Sequence, residues 1–254
     1  MIESDIKGGI ATIPHRLAKA NNEYMGTEFD PAEETKFISY LDANNLYGSA
    51  MSKQLPTSGF KWMTDNELDD WKHLSCFLEV DLEYPEDLHD HNDYSLAPER
   101  IKIRNVEKLI PNLDNKTNYV VHYENVKLYE SLGLKITQIN RGIKFDESSW
   151  LEEYINLNTK QRIEAKKSGN NFEVDFLKLM NNSVFGKTLE NISNRVDIRL
   201  ISADKVAQKL AAKPNYDCCT IFDENLIAVH MKNTKLYFNK PVYLGMSILD
   251  LSKP

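Results

Sequence analysis

An α+β fold is what this 254-residue sequence predicts, from two observations. Short runs rich in β-branched and aromatic residues recur along the chain, bounded by turn residues, as strands are. Between residues 149 and 192 lie two long segments of helical period, joined by Ser168-Gly169-Asn170-Asn171. That is the pattern of a helical hairpin. The length is enough for a buried core and more than one subdomain. A composition of 41% hydrophobic and 27% charged residues, with 10 Gly and 9 Pro, is that of a soluble globular protein.

No apolar run is long enough to span a bilayer, and MIESDIKGGI lacks a signal peptide's basic start and apolar core. The expectation is no membrane partner and an intracellular location. Three cysteines, two of them the neighbours Cys218 and Cys219, make neither a disulfide framework nor a zinc pattern. The formal net charge of -7 speaks against a nucleic-acid partner only as a crude sum, since a basic cleft coexists readily with an acidic exterior.

In chain order, residues 1–34 read as irregular, with Gly8-Gly9 and a basic patch at His15, Arg16 and Lys19. KFISYL predicts a strand ending at Asp42, and ANNLYGSAM a turn entering a short helix with Leu46, Tyr47, Ala50 and Met51 at helical spacing. Gly48 weakens that helix. FLEVDLEY, NYVVHY and KITQINRGIKF predict strands, and NVKLYESLGL a short helix stopped near Gly133. EDLHDHND predicts an acidic loop, whose His89 and His91 read either as metal ligands or as solvated surface, with no third ligand apparent. In the hairpin, Trp150, Leu151, Tyr154, Ile155 and Leu157 take helix-face positions. TIFDENLIAVHM and KLYFNKPVYLG predict strands, and MSILDLSKP enters a helix.

The hairpin gathers cations: Lys160, Arg162, Lys166 and Lys167 on its first helix, Lys178 and Lys187 on its second. Arg162 and Lys166, four apart, share a face, as do Lys178 and Asn182, with Phe185 and Gly186 continuing it. Two readings stay open: a solvated basic face, or two helices offering cations to a triphosphate. Asp42 likewise reads as an ordinary strand-end carboxylate or as a metal ligand.

Two stretches resemble a known family. Asp42-Ala43-Asn44-Asn45-Leu46-Tyr47 is similar to motif A of family B DNA polymerases, D-x-x-S-L-Y, and KLMNNSVFG (residues 178–186) to their motif B, K-x-x-x-N-S-x-Y-G. The wording is most similar to the protein-primed branch of adenoviruses, some phages, linear plasmids and Maverick/Polinton-type mobile elements. IKGGI resembles the Y-x-G-G element between exonuclease and polymerase modules, with Ile6 in place of the tyrosine.

The resemblance implies a partial polymerase palm, mostly antiparallel sheet with helices, carrying an inserted subdomain and helical-hairpin fingers. Residues 1–35 would be a linker after an exonuclease domain. Residues 36–62 would be the first part of the palm, and 63–145 an insertion contacting a priming protein and DNA. Residues 146–190 would be fingers and 191–254 the second part of the palm. Asp42 would be catalytic and bind Mg²⁺ ions, with the Ala43 carbonyl as an auxiliary ligand. Amides of Asn44, Asn45 and Leu46 would face the triphosphate, and Tyr47 would be the steric gate against a 2′-hydroxyl. Lys178, with Arg162 and Lys166, would hold phosphates, and Asn182, Phe185 and Gly186 would line the nascent base pair. Gly8, Gly9 and Lys187 complete the implied DNA contacts. Phe185 stands where tyrosine is usual and lacks its hydroxyl, and Gly48 where many relatives carry proline. The bland readings of Tyr47 as a core aromatic, of Asn182 as a polar helix residue and of Gly186 as a helix irregularity remain beside these.

Implied partners are a DNA template-primer, dNTPs and a terminal protein, with the chain a monomer in the nucleus or at a viral replication site. Two-metal transfer needs more than one carboxylate, and the family's motif C, Y-x-D-T-D, is not in these residues. Asp81, Asp197 and Asp217 lie in other contexts. The expectation is a palm-and-fingers fragment without motif C or thumb, belonging to a DNA-directed DNA polymerase. The alternative is a catalytically dead relic that binds nucleotide or nucleic acid.

Overall fold

Four antiparallel strands organise the first of two units, residues 1–186 and 242–254. The computed structural model describes residues 1–3, 6–10, 16–42, 44–90 and 95–253; His15, Ala43 and His91, singled out above, lie outside them. After helix α1 (Leu46–Met51) come strand β1 (Leu55–Trp62), the short helix α2 (Asp65–Asp69) and strand β2 (Cys76–Glu83). A hairpin of β3 (Glu99–Ile103) and β4 (Val106–Ile110) precedes β5 (Lys116–His122), α3 (Tyr123–Ser131) and the long strand β6 (Lys135–Ser148). The helical hairpin is α4 (Glu152–Lys167) and α5 (Asn171–Thr188). The sheet runs β1-β6-β2-β5, every pairing antiparallel, so the fold is α+β.

Strand β2 is central, and side chains alternate across it. Cys76, Leu78, Val80 and Leu82 enter a core with Trp71, Tyr119, Val121, Val126 and Tyr129. Phe77, between them, faces a second cluster with Val120, Phe145 and Met246. The Phe77 face continues with Glu79, Asp81 and Glu83, partnered by Arg141, Asn140 and Lys135, and the alternation of FLEVDLEY follows. Helix α3 ends where Gly133 takes φ +100°, and a Cβ there would come within 2.9 Å of Leu88 Cδ2.

The last helix of this unit is buried along most of its length, from Leu244 to Leu251. We label it α7 after the α6 that precedes it in the chain: in the second unit, residues 187–241, a sheet β7-β9-β8 carries one helix. Those elements are β7 (Asp197–Ile201), α6 (Asp204–Ala211), β8 (Tyr216–Asp223) and β9 (Leu226–Met231); α7 is Val242–Leu251. Leu210 and Ala207 of α6 pack on Val229, Met231, Ile201, Tyr216 and Ile227.

Burying α7 requires partners for its polar end. Lys53 Nζ donates to the Leu251 carbonyl at 3.1 Å and Asn125 Nδ2 to the Asp250 carbonyl at 3.1 Å. The Asp250 carboxylate accepts from the His122 backbone N–H at 3.0 Å and from Lys253 Nζ at 2.9 Å. His122 caps α3, its Nδ1 accepting from Glu124 N–H at 3.4 Å. Its ring is fully buried, between Phe77, Tyr123 and Phe145.

Two expected strands do not form. Residues 37–42 are irregular and unpaired, the single bridge among the described residues joining Lys36 to Asn21, and Tyr40 is 95% exposed. The β-like composition is there, but among the described residues no strand lies alongside to take its N–H and C=O groups. KLYFNKPVYLG is irregular as far as Pro241 and then enters α7, because proline fixes φ for a helix start and Val242 to Leu251 is apolar on all sides. The hairpin's inward face also differs: Trp150 and Leu157 are half exposed, while Asn158 and Ala165 are buried. Strands β1, β3, β4 and β7 and helices α2 and α6 were not anticipated.

Burial pulls the His122 pKa down from 6.5 to about 4, opposed by Asp250 and Glu124 and assisted by Lys53 and Lys127. The unfolded chain therefore binds a proton near pH 6.5 that the folded chain refuses until about pH 4. Stability from this group is complete above pH 6.5 and is lost as pH falls towards 4, by roughly 3 kcal/mol. Chemical denaturation at pH 7.5, 6, 5 and 4.5 should show that decline, and His122→Gln should flatten it over this window.

Candidate nucleotide site

The stretch that carries Asp42 arrives as exposed, irregular chain, and α1 begins after Asn45. Asn45 lies in the left-handed region (φ 61°, ψ 41°), which asparagine tolerates better than most residues. Its carbonyl accepts the Ser49 N–H at 2.9 Å, the first turn of α1. Gly48 is buried beneath the Asn45 side chain, and a Cβ there would lie 2.2 Å from Asn45 Nδ2. Glycine at 48 and asparagine at 45 are therefore one local device. Asp42 is exposed and forms no hydrogen bond or ion pair among the described residues, and Asn44 is exposed too.

Tyr47 joins this segment to the hairpin. Its ring stacks on that of Phe185, with centroids 4.3 Å apart and planes 17° apart. Around the stack lies one core: Ala50, Met51 and Leu55 from the α1–β1 segment, Leu151 and Ile155 at the start of α4, and Leu244, Ile248 and Leu251 of α7. Val184, Tyr154 and Tyr243 are partly buried against it. Leu46, by contrast, is half exposed. Tyr47 keeps part of its surface open, so it is neither a wholly buried core aromatic nor a free side chain.

Above the stack, α4 and α5 are tied by a buried amide pair, Asn158 Nδ2 donating to Asn181 Oδ1 at 2.8 Å. Sequence reasoning missed this pair; the signal was an Asn at an inward helical position on each helix. Buried amides need each other, so the pair fixes the level at which the two helices meet. At a rise of about 1.5 Å per residue, Arg162 stands about 6 Å beyond Asn158 and Lys178 about 4.5 Å beyond Asn181. The two cations thus sit at nearly one level of the hairpin, with Lys166 a further turn out. Arg162 is half-buried, while Lys160, Lys166, Lys167 and Lys178 are exposed. None of the five has an ion pair or side-chain hydrogen bond among the described residues.

Asn182 is exposed beside Lys178, and Gly186 follows Phe185 in the open, with nothing within 4 Å of where its Cβ would be. A glycine inside a helix costs about 1 kcal/mol relative to alanine, and no contact within the fold requires this one. Gly8 and Gly9 are similarly exposed and unconstrained. Their segment is anchored by Ile6, which packs on the Phe77 cluster, and by Lys7, whose ammonium lies 3.3 Å from the Tyr119 ring centroid. Arg100 also donates to the Ile6 carbonyl.

The structure thus brings together Tyr47 and Phe185, and sets Arg162 level with Lys178. Lys187, near the end of α5, pairs with Glu190 at 2.7 Å. Lys187 and Arg195 together hold the Glu190 carboxyl down to about 2. His89 packs edge-on against Tyr84, 5.7 Å between centroids, and no group of three His, Cys, Asp or Glu suited to a metal exists among the described residues.

An antiparallel sheet, an exposed aspartate leading into a helix, and a helical hairpin stacked on that helix frame the site, and the family match makes the chain a DNA-polymerase-related domain. The pattern of DNA polymerase type B, organellar and viral, matches residues 21–253, and the chain belongs to that family. Among solved structures it is similar to an orthorhombic crystal form of Phi29 DNA polymerase, at 14% identity and a TM-score of 0.48, over 83% of this chain and 33% of that one. It is also similar to Phi29 DNA polymerase complexed with primer-template DNA, at 13% identity and a TM-score of 0.47, over 82% and 32%. The chain spans about a third of the length of these polymerases. A comparison with curated proteins finds no match.

If the stack joins the two segments energetically, Tyr47→Leu and Phe185→Leu should not be additive. Stacked aromatic pairs contribute about 0.5–1.5 kcal/mol beyond their buried area. A double-mutant cycle read by urea denaturation should return a coupling of that size; a coupling near zero would contradict the geometry.

Proposed function

We propose that this chain supplies the palm and fingers of a DNA-directed DNA polymerase, adding deoxynucleotides to a primer against a template. The wording of both motifs supports the protein-primed branch, and with it a terminal protein as partner and viral or mobile-element replication as setting. The observation that carries the reading is the Tyr47–Phe185 stack. Two segments separated by some 130 residues of sequence, each resembling a polymerase motif, meet ring to ring.

The residues divide the work by their chemistry. Tyr47, braced by Phe185, offers a fixed wall to the sugar of an incoming nucleotide, where a 2′-hydroxyl would collide. Lys178 and Arg162, level on the hairpin and without internal partners, neutralise phosphates, and Lys166 extends that reach. Amides at Asn44, Asn45 and Leu46 add donors. Asn182 lines the base pair, and the bare backbone at Gly186 lets it approach closely. Gly8 and Gly9 present the same kind of open backbone to DNA. Lys187, held by Glu190, contributes less than its charge suggests.

Family members use divalent metal ions, and Mg²⁺ prefers carboxylate oxygens and water. Two-ion chemistry needs carboxylates that bridge both ions. Among the described residues no group of three His, Cys, Asp or Glu gathers at Asp42, and Ala43 lies outside them. The donor set among the described residues does not fit a two-ion site. That single observation favours a second reading for these 254 residues alone: a module that binds nucleotide and DNA without transferring.

Equilibrium binding of dATP and ATP to the purified chain tests the site. The wild type should prefer dATP, and Tyr47→Val should narrow that preference by about tenfold, within the range one pocket contact supplies. Equal affinities in the wild type would remove the gate. Primer extension with Mg²⁺ and dNTPs separates the two readings: no incorporation is expected from this chain. Templated incorporation that Asp42→Ala abolishes would establish the complete enzyme instead.

A further inference from the structure

Away from the nucleotide site, the first unit holds a cavity of about 550 Å³ among α3, the end of α7 and the Lys53–Gln54 segment. Its wall is apolar at Tyr123, Leu128 and Leu251, while Lys53, Lys127 and Glu124 carry charge along it. A space of this size, with an apolar wall and few polar groups, suits a small organic molecule. His122 belongs to the lining as well.

His122 is the informative residue. It is fully buried, and its Nδ1 accepts the Glu124 N–H at 3.4 Å. Burial holds its pKa down to about 4, so the ring is uncharged near neutral pH. With Nδ1 accepting, an uncharged ring carries its proton on Nε2. Nε2 is buried and has no hydrogen-bond partner among the described residues. A buried donor left in this way is costly and calls for an acceptor.

The surrounding charge favours an acceptor that is an anion. Lys53 gives one N–H to the Leu251 carbonyl at 3.1 Å, and an ammonium has three. Lys127 stands 3.4 Å from the Glu124 carboxylate and 4.6 Å from the Tyr123 ring centroid. The nine-residue α3 turns its N-terminal, positive end to the same side. Against two lysines and that dipole stands one carboxylate, Glu124. Asp250, the other acid near His122, is engaged by the His122 backbone N–H and by Lys253.

We propose that this cavity binds a small organic anion, an apolar body carrying a carboxylate or phosphate group. An anionic oxygen accepts from His122 Nε2 and is neutralised by Lys53 and Lys127, and the body rests on Tyr123, Leu128 and Leu251. The cavity shares no residue with the nucleotide site, and the inference makes no use of the polymerase reading. A bound anion ties α3 to the end of α7 and so stabilises the first unit.

NMR titration of the full chain tests it, with phenyl phosphate and benzoate as probes. At least one should bind with millimolar affinity, shift the ring N–H signal of His122 and raise the melting temperature; their ranking tells phosphate from carboxylate. Inorganic phosphate has the charge without the body, and benzyl alcohol the body without the charge. Each should bind about tenfold more weakly than the better probe. Glu124→Gln should tighten binding by about two- to fivefold and Lys127→Gln weaken it as much, the range of one partly exposed charge. A merely structural effect would move both variants in the same direction, and that result overturns the proposal. So does the absence of binding by either probe at about 10 mM, or binding that leaves the His122 signal unmoved. Inorganic phosphate binding as tightly as phenyl phosphate also overturns it and reduces the site to surface lysines.

Discussion

The contact that joins α1 to the helical hairpin is the stack of Tyr47 on Phe185. The segment that brings Asp42 is irregular and unpaired, and α1 is only six residues long. Neither has the internal hydrogen bonding to hold its own position. A helix this short is unstable by itself and exists because its inward face is packed. Ala50 and Met51 bury that face against α4 and α7, and the Tyr47 ring extends it to the hairpin. Whatever displaces Phe185 therefore moves Tyr47, and with it the turn that begins three residues after Asp42.

Around that contact the structure meets a recurrent cost of burial. An α7 buried from Leu244 to Leu251 carries an aspartate and terminal carbonyls into the interior, and each finds a donor: His122 N–H, Asn125, Lys53 and Lys253. Two asparagines at the α4–α5 contact satisfy one another in the same way. Apolar residues alone would pack these helices in several registers. Directional hydrogen bonds between buried groups select one. The level at which Arg162 and Lys178 stand on the hairpin is set by the Asn158–Asn181 pair.

Much of the fold was legible in the sequence. Period and turn chemistry located β2, β5, β6, α3 and both hairpin helices, since each carries its own pattern and its own stop, Gly133 for α3 and Ser168-Gly169-Asn170 for α4. The elements that were missed have weaker local signals. Strand β1 is exposed over most of its length, and β3 and β4 pair only with each other, so neither shows an apolar alternation. The strand expected at residues 36–41 fails for the opposite reason. Its composition is β-like, but a strand is completed by a neighbour, and residue type cannot supply one. The KLYFNKPVYLG misreading has a similar source: apolar aromatic residues read as strand until Pro241 and burial on all sides make the following residues a helix.

For the site, the sequence by itself determined the two motif-like segments, and through them the identities Asp42, Asn45, Tyr47, Lys178, Asn182, Phe185 and Gly186. It also determined the cationic hairpin, because charge and four-residue spacing are properties of the chain. Only the tertiary structure decided that Tyr47 and Phe185 stack, that Gly48 lies beneath Asn45, and that Lys187 is tied to Glu190. It also decided that His122 lines a cavity with Lys53 and Lys127, its Nε2 without a partner among the described residues. The reason is physical: periodicity records which face of an element is apolar, while which faces meet depends on closing long loops over a shared core, and no local pattern encodes that.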